Sequence, residues 1–138
     1  TPIMLGFENC RFDLFLNKII SSKFSEKMKT RARQIHEFGN LIVKAADLND
    51  ILIMKSATSR AKDLSDIIDI INKNFVNWDV VVDEAKEQVA LGDEGAVLSL
   101  GEKLEKLANQ KAINVPKRVL DELWKLLKKQ VREKGGRG

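Results

Sequence analysis

Residues 57–75, with the sequence ATSRAKDLSDIIDIINKNF, decide the fold that we predict for this chain. Their apolar side chains recur at alternating steps of four and three, which places them on one face of a helix. The stripe consists of Ala57, Ala61, Leu64, Ile68, Ile71 and Phe75. Such a stripe is normally buried against other helices, and the neighbouring segments carry stripes of the same kind. The pattern therefore predicts an all-α fold, an antiparallel four-helix bundle.

Caps and stripes together set the predicted helix boundaries. Ser25 and Asp47 are suitable N-cap residues, and Pro116 suits the first position of a final helix. The predicted principal helices cover residues 25–46, 48–77, 79–110 and 116–134, and an additional short N-terminal helix covers residues 8–21. No sheet is needed, because the valine run at residues 80–82 is too short for a strand between charged flanks.

Three points in this prediction involve residues that break helices. Gly39 inside the first principal helix indicates either close approach of a neighbouring helix or a bend. Thr58 and Ser59 offer an alternative in which a second helix starts within residues 48–77. Gly92 and Gly95 leave residues 79–110 as one helix or as two helices nearly in line.

Length and composition predict a single soluble domain, residues 1–138, with a basic frayed tail at 135–138. One cysteine, Cys10, excludes an intramolecular disulfide and favours a reducing compartment. The apolar runs are far shorter than the roughly 20 residues that a membrane span requires. The first residues lack a basic segment followed by an apolar one, so no secretory signal is predicted. We therefore expect an intracellular, cytoplasmic protein.

No motif in the chain predicts catalysis, a cofactor or a metal. His36 is the only histidine, so a zinc site would have to use Cys10 and carboxylates as its other ligands. No phosphate-binding glycine motif is present. Asp63, Asp66 and Asp69 follow one side of the predicted helix, where a solvated acidic face is the more ordinary interpretation. The sequence therefore predicts a protein that is not an enzyme and that has no cofactor.

Apolar residues that point away from the predicted core indicate a protein partner. A helical wheel places Ile70 opposite the stripe, with Ile67 toward the same flank, and Leu41 also points away from its own seam. Apolar surface beyond the needs of one bundle is typical of an interface. The sequence thus predicts a protein-interaction module, a homodimer, that binds a partner helix or a second copy in a groove between helices.

The alternative hypothesis is nucleic-acid binding, since the net charge of +4 is unevenly distributed. Residues 23–33 sum to +4 and residues 117–138 to +5, whereas residues 34–116 sum to −5. A basic amphipathic helix at the C-terminus could contact phosphates. The candidate polyanion contacts are Lys23, Lys27, Lys29, Arg31, Arg33, Lys117, Arg118, Lys125, Lys128, Lys129 and Arg132.

Overall fold

The structure is a computed structural model that describes residues 3–7, 10–14, 18–19, 22–58 and 60–135. Within that part of the chain most residues are helical. The helices are α1 (Glu26–Arg31), α2 (Leu48–Ser56), α3 (Ala61–Lys73), α4 (Trp78–Ala90), α5 (Glu94–Asn109) and α6 (Lys117–Gly135). The prediction of a mostly helical fold is confirmed, but an all-α fold is wrong because the chain also forms β-hairpins.

The short helix predicted over residues 8–21 is wrong for residues 10–14 and 18–19, which form strands, and the rest of that range lies outside the described residues. Two antiparallel strand pairs are formed by β1 (Ile3–Phe7) with β2 (Cys10–Leu14) and by β3 (Lys18–Ile19) with β4 (Ser22–Lys23). In β2, apolar and polar residues alternate strictly in the order Cys-Arg-Phe-Asp-Leu. This period of two is the strand signal, and it prevailed over the helical spacing of the phenylalanines.

The predicted helix over residues 25–46 is wrong beyond Arg31. Two further strands, β5 (Arg33–Phe38) and β6 (Leu41–Ala45), pair antiparallel around the two-residue loop Gly39-Asn40. Gly39 has φ +54 and Asn40 does not adopt positive φ, as expected for a type II′ hairpin turn. Gly39 is therefore required by the turn, and it marks neither a helix bend nor a close helix contact.

Residues 48–77 form two helices, which is the alternative that the sequence left open at Thr58. The predicted stripe does not follow one helix, because Ala57 caps the end of α2 and Phe75, which is 89% exposed, lies beyond the end of α3. Ala61, in the first turn of α3, is also exposed. The residues of α3 that are fully buried are Asp63 and Ile67. Three stripe residues, Leu64, Ile68 and Ile71, pack partly buried against the core. The fully buried positions, 63 and 67, each lie one residue before a member of the stripe.

Residues 79–110 also form two helices, α4 and α5. A Schellman motif ends α4: the Gly92 amide donates to the Val89 carbonyl at 3.0 Å, and the Asp93 amide donates to the Gln88 carbonyl at 2.8 Å. Gly92 has φ +85, which glycine adopts without strain. The break is therefore a true helix end, and α5 restarts at Glu94.

The core lies among α2, α4, α5 and α6, with α3 packed on α2. Its fully buried apolar side chains come from every one of these helices, and they include Leu52, Ile53, Ile67, Val81, Val97, Leu100, Leu104 and Leu123. None of the helices in the described part of the chain is long and apolar enough to cross a membrane.

Gly101 gives a direct test of the packing between α5 and α6. A Cβ atom built on Gly101 would lie 3.5 Å from Cζ2 of Trp124, an ordinary van der Waals distance. Gly101→Ala should therefore raise the free energy of unfolding by about 0.5–1 kcal/mol, the usual gain for alanine over glycine inside a helix. Denaturant unfolding measures this change. A loss of stability would mean that α5 and α6 approach more closely than described.

Candidate interaction surface

The β5–β6 hairpin exposes large apolar side chains. Ile35 is 48% exposed, Phe38 60% and Ile42 51%, and all six residues of β5 are exposed. The hairpin register pairs Phe38 with Leu41, His36 with Val43 and Glu37 with Ile42. Both faces of this sheet therefore carry apolar groups in contact with solvent.

The register of the hairpin and a bulge at Ile35 determine which side chains lie on the same face. His36, Phe38 and Val43 share one face, where the rings of His36 and Phe38 lie 4.1 Å apart between centroids. Ile42 lies on the opposite face, beside Glu37. Ile35 is the extra residue between Gln34 and His36, so β5 is irregular while β6 is not. Of the two strands, β6 therefore offers the more regular edge.

Neither β5 nor β6 has a second strand neighbour among the described residues. An isolated two-stranded sheet is marginally stable in water, and its open edges can pair with another strand. Such a sheet usually becomes independently stable when it has three or more strands or packs against a helix. The exposed apolar residues and the open edges together make this hairpin the best candidate for an interaction surface.

At the base of the hairpin lies a buried polar group that we call the stem cluster. It consists of Ser25, Arg31, Asp50, Glu84 and Gln88. Arg31 Nε and Nη2 donate to the two carboxylate oxygens of Asp50 at 3.0 and 2.8 Å, and Nη2 also donates to Glu84. Glu84 accepts from Ser25 Oγ at 2.8 Å and from Gln88 Nε2 at 2.9 Å. The cluster thus joins α1, α2 and α4.

Charge in the stem cluster is unbalanced. The side chains of Asp50 and Glu84 are 0% exposed, and Arg31 is the cation that they share. Burial raises the pKa of Asp50 above its ordinary value, against the opposing effect of the Arg31 hydrogen bonds. The folded chain therefore holds a proton on Asp50 more tightly than the unfolded chain does. The contribution of Asp50 to stability is largest at low pH and is lost as the pH rises through the raised pKa.

A second polar group, the corner cluster, fixes the turn between α2 and α3. It consists of Lys55, Thr58, Arg60, Asp63 and Lys103. Asp63 is 1% exposed and accepts from Arg60 Nε at 2.7 Å and Nη2 at 3.1 Å, as well as from Thr58 Oγ1. These hydrogen bonds, led by those from Arg60, hold the pKa of Asp63 well below its ordinary value.

Lys103 connects the corner cluster to α5. Its Nζ donates to the carbonyl of Ser56 at 2.5 Å and to that of Thr58. These carbonyls lie at the C-terminal end of α2, where a positive charge is favourable. Burial lowers the pKa of Lys103. These contacts tie α5 to the turn between α2 and α3, which gives the corner cluster a structural role.

A shallow cavity of about 320 Å³ lies beside the exposed ring of Phe75. Its walls include Ile71, Trp78, Asn114 and Arg118, from α3, α4 and the start of α6. Arg118 pairs with Asp79 at its rim, with 3.0 Å between Nη1 and Oδ1. The cavity combines an apolar wall with amide groups, which suits a side chain of a partner better than a charged ligand.

The interface residues predicted from the sequence do not form one surface. Ile67 is 0% exposed, so the prediction that it faces outward is wrong. Ile70 is half-buried and packs against the core. Leu41 belongs to β6 and lies opposite Phe38 in the register, but its side chain is outside the described residues. Of the three, Leu41 alone belongs to the hairpin.

Most described members of the first basic segment are engaged in ion pairs. Lys27 lies 3.2 Å from Asp83, Lys29 lies 2.9 Å from Glu26, and Arg31 belongs to the stem cluster. Arg33 is exposed on β5. The side chain of Lys23 lies outside the described residues. This segment therefore presents less uncompensated positive charge than its sequence predicted.

The C-terminal basic residues lie on α6 and differ in their surroundings. Arg118 is paired with Asp79, whereas the other described members are exposed, namely Lys117, Lys125, Lys128 and Lys129. The side chain of Arg132 lies outside the described residues.

Across the described chain, no group of three or more His, Cys, Asp or Glu side chains could hold a metal ion.

Sequence reasoning missed the hairpin and the stem cluster, although signals for both were present. Gly39-Asn40 is a dipeptide typical of a two-residue hairpin turn, and the β-branched Ile42 and Val43 follow it after Leu41. Glu84 and Gln88 lie four residues apart on the apolar face of α4, where buried polar residues require partners.

Comparison of the chain with protein-family models, curated proteins and solved structures found no match.

Proposed function

We propose that this chain is a non-enzymatic protein-interaction module that forms a homodimer through the β5–β6 hairpin. The observation that carries the proposal is the exposure of Ile35, Phe38 and Ile42 on a two-stranded sheet with open edges. The helix-groove mode expected from the sequence used Leu41, Ile67 and Ile70, but Ile67 is fully buried and Ile70 is half-buried against the core. We therefore assign the interface to the hairpin.

The regular edge of β6 suits antiparallel pairing with β6 of a second copy. With a two-fold axis at Val43, each Val43 would lie opposite its symmetry mate, and each Ile42 opposite Lys44 of the other copy. The result is a four-stranded sheet, which satisfies the minimum of three strands for an independently stable sheet. The aliphatic stem of Lys44 can cover Ile42 while its charge stays in water.

Substitution of Ile42 by residues of opposite charge tests this pairing. Ile42→Lys should weaken the dimer more than Ile42→Glu does, because a new lysine would face Lys44 of the second copy, whereas a new glutamate would pair with it. Glu37, opposite Ile42 within the hairpin, is present in the free and the paired chain alike. Each cross-strand charge pair is worth roughly 0.2–1 kcal/mol and occurs twice by symmetry, so the two variants should differ severalfold or more in dissociation constant. Sedimentation velocity over a concentration series measures this difference.

Leu98→Lys is the matched control, since Leu98 is an exposed apolar residue on α5, away from the hairpin. It should leave the dimer unchanged. Equal weakening by lysine and glutamate at Ile42 would rule out the β6 pairing, and a wild-type chain that stays monomeric would refute the homodimer.

Nucleic-acid binding ranks second. Exposed lysines on α6, among them Lys125, Lys128 and Lys129, favour it. However, Lys27, Lys29 and Arg31 are already neutralised by carboxylates, and a phosphate backbone would have to compete for them.

A further inference from the structure

The stem cluster bridges the two points at which the hairpin arm, residues 32–46, joins the helices. Arg31 is the last residue of α1, immediately before the arm, and Asp50 lies in the first turn of α2, just after it. Their bidentate contact closes the base of the arm, and the contact of Arg31 with Glu84 ties that base to α4.

Few other contacts hold the arm in place. No described side chain between Arg33 and Ala45 makes a hydrogen bond or ion pair with the helices. If the contact between Arg31 and Asp50 did not hold the two ends of the arm together, the arm could therefore change its orientation at its two connections, near Ala32 and Ala46. By contrast, the two carboxylates at the base are fully buried, so solvent and salt screen their attraction to Arg31 only weakly.

We propose that the Arg31, Asp50 and Glu84 side chains act as a clasp that sets the orientation of the hairpin arm relative to the helices. Arg31 is a positioning residue in this mechanism, because its planar fork engages both oxygens of Asp50 and a lysine could not reproduce that geometry. In the homodimer proposed above, on which this role rests, a fixed arm presents β6 without the entropic cost of ordering it during association.

Spin-label distance measurements test the clasp. One label is placed at the hairpin turn by Asn40→Cys and one on the exposed side of α5 by Glu105→Cys, after replacement of Cys10 by serine. Labelled protein is diluted into unlabelled protein, so that distances between copies do not contribute. With an intact clasp, the distance distribution should have a single narrow peak.

Arg31→Lys and Asp50→Ala should each abolish that narrow peak and give a broad distribution, while circular dichroism shows that the helices are retained. Lys27→Gln is the matched control, since Lys27 lies on the same short helix and pairs with Asp83 at the surface. It should keep the narrow peak. A peak that stays narrow in both clasp variants, or that is already broad in the wild type, would overturn the clasp. Because the readout comes from single copies, failure of the homodimer leaves this result unaffected.

Discussion

Replacing Arg31 by methionine is expected to lower the free energy of unfolding by about 3–5 kcal/mol, the cost of removing one partner from a buried ion pair. Asp50 and Glu84 would remain fully buried without their cation. The loss is a large fraction of the roughly 5–15 kcal/mol that stabilises a typical domain. Equilibrium unfolding in urea at pH 7, followed by circular dichroism, measures it.

The pH dependence of the same variant identifies the cause. Without Arg31, nothing at this position opposes the burial that raises the pKa of Asp50, so the folded variant holds a proton on Asp50 more tightly than the unfolded chain does. The difference in free energy of unfolding between the wild type and Arg31→Met should therefore become smaller as the pH falls from 7 toward 4. Asp50→Asn keeps an acceptor for Arg31 and leaves one carboxylate for one guanidinium. It should therefore lower the free energy of unfolding by less than Arg31→Met does. A deficit in Arg31→Met that does not change with pH would indicate lost packing instead of unpaired charge.

Asp63→Ala is expected to lower the free energy of unfolding by about 1–3 kcal/mol, because it removes a buried acceptor of several hydrogen bonds. Arg60, Thr58 and Lys55 would each lose that partner. The turn between α2 and α3 is then held mainly by Lys103, and amide exchange in residues 57–60 should accelerate.

The sign of the pH effect at Asp63 is opposite to that at Asp50. Since the pKa of Asp63 is lowered in the folded chain, its stabilisation is fully present above the ordinary value of 3.8 and is lost as the pH falls below it. The difference between wild type and Asp63→Ala should thus be constant near neutrality and decrease below pH 3.8. Asp69→Ala is the matched control, because Asp69 lies on the same helix in an exposed pair with Lys73. If Asp69→Ala lowered the free energy of unfolding as much as Asp63→Ala, burial of the Asp63 carboxylate would not explain the effect of its removal.

The candidate surface was predictable only in part. Leu41 was identified as an apolar residue that its predicted helix could not bury, and it lies in the hairpin. The helix prediction is wrong at Gly39, because a glycine at a helical seam position resembles a packing contact, whereas Gly39-Asn40 is a turn signal. Residues 33–38 and 41–45 form strands, whose side chains alternate between two faces, so a helical wheel does not give their directions.

Local sequence favoured helix from residue 48 onward, because the 3.6-residue apolar period and the side-chain caps of α2 and α4 depend on neighbouring residues. Asp47, Asn77 and Gly92 mark ends that any tertiary arrangement would respect. Which face of each helix became buried was decided by tertiary structure. Asp50 and Glu84 look like solvated charges in the sequence, yet both are buried beside the guanidinium of Arg31, which comes from a distant part of the chain. Apolar periodicity cannot reveal such pairs, since the favourable energy of a buried charge depends on a partner that only the folded chain brings within hydrogen-bonding distance.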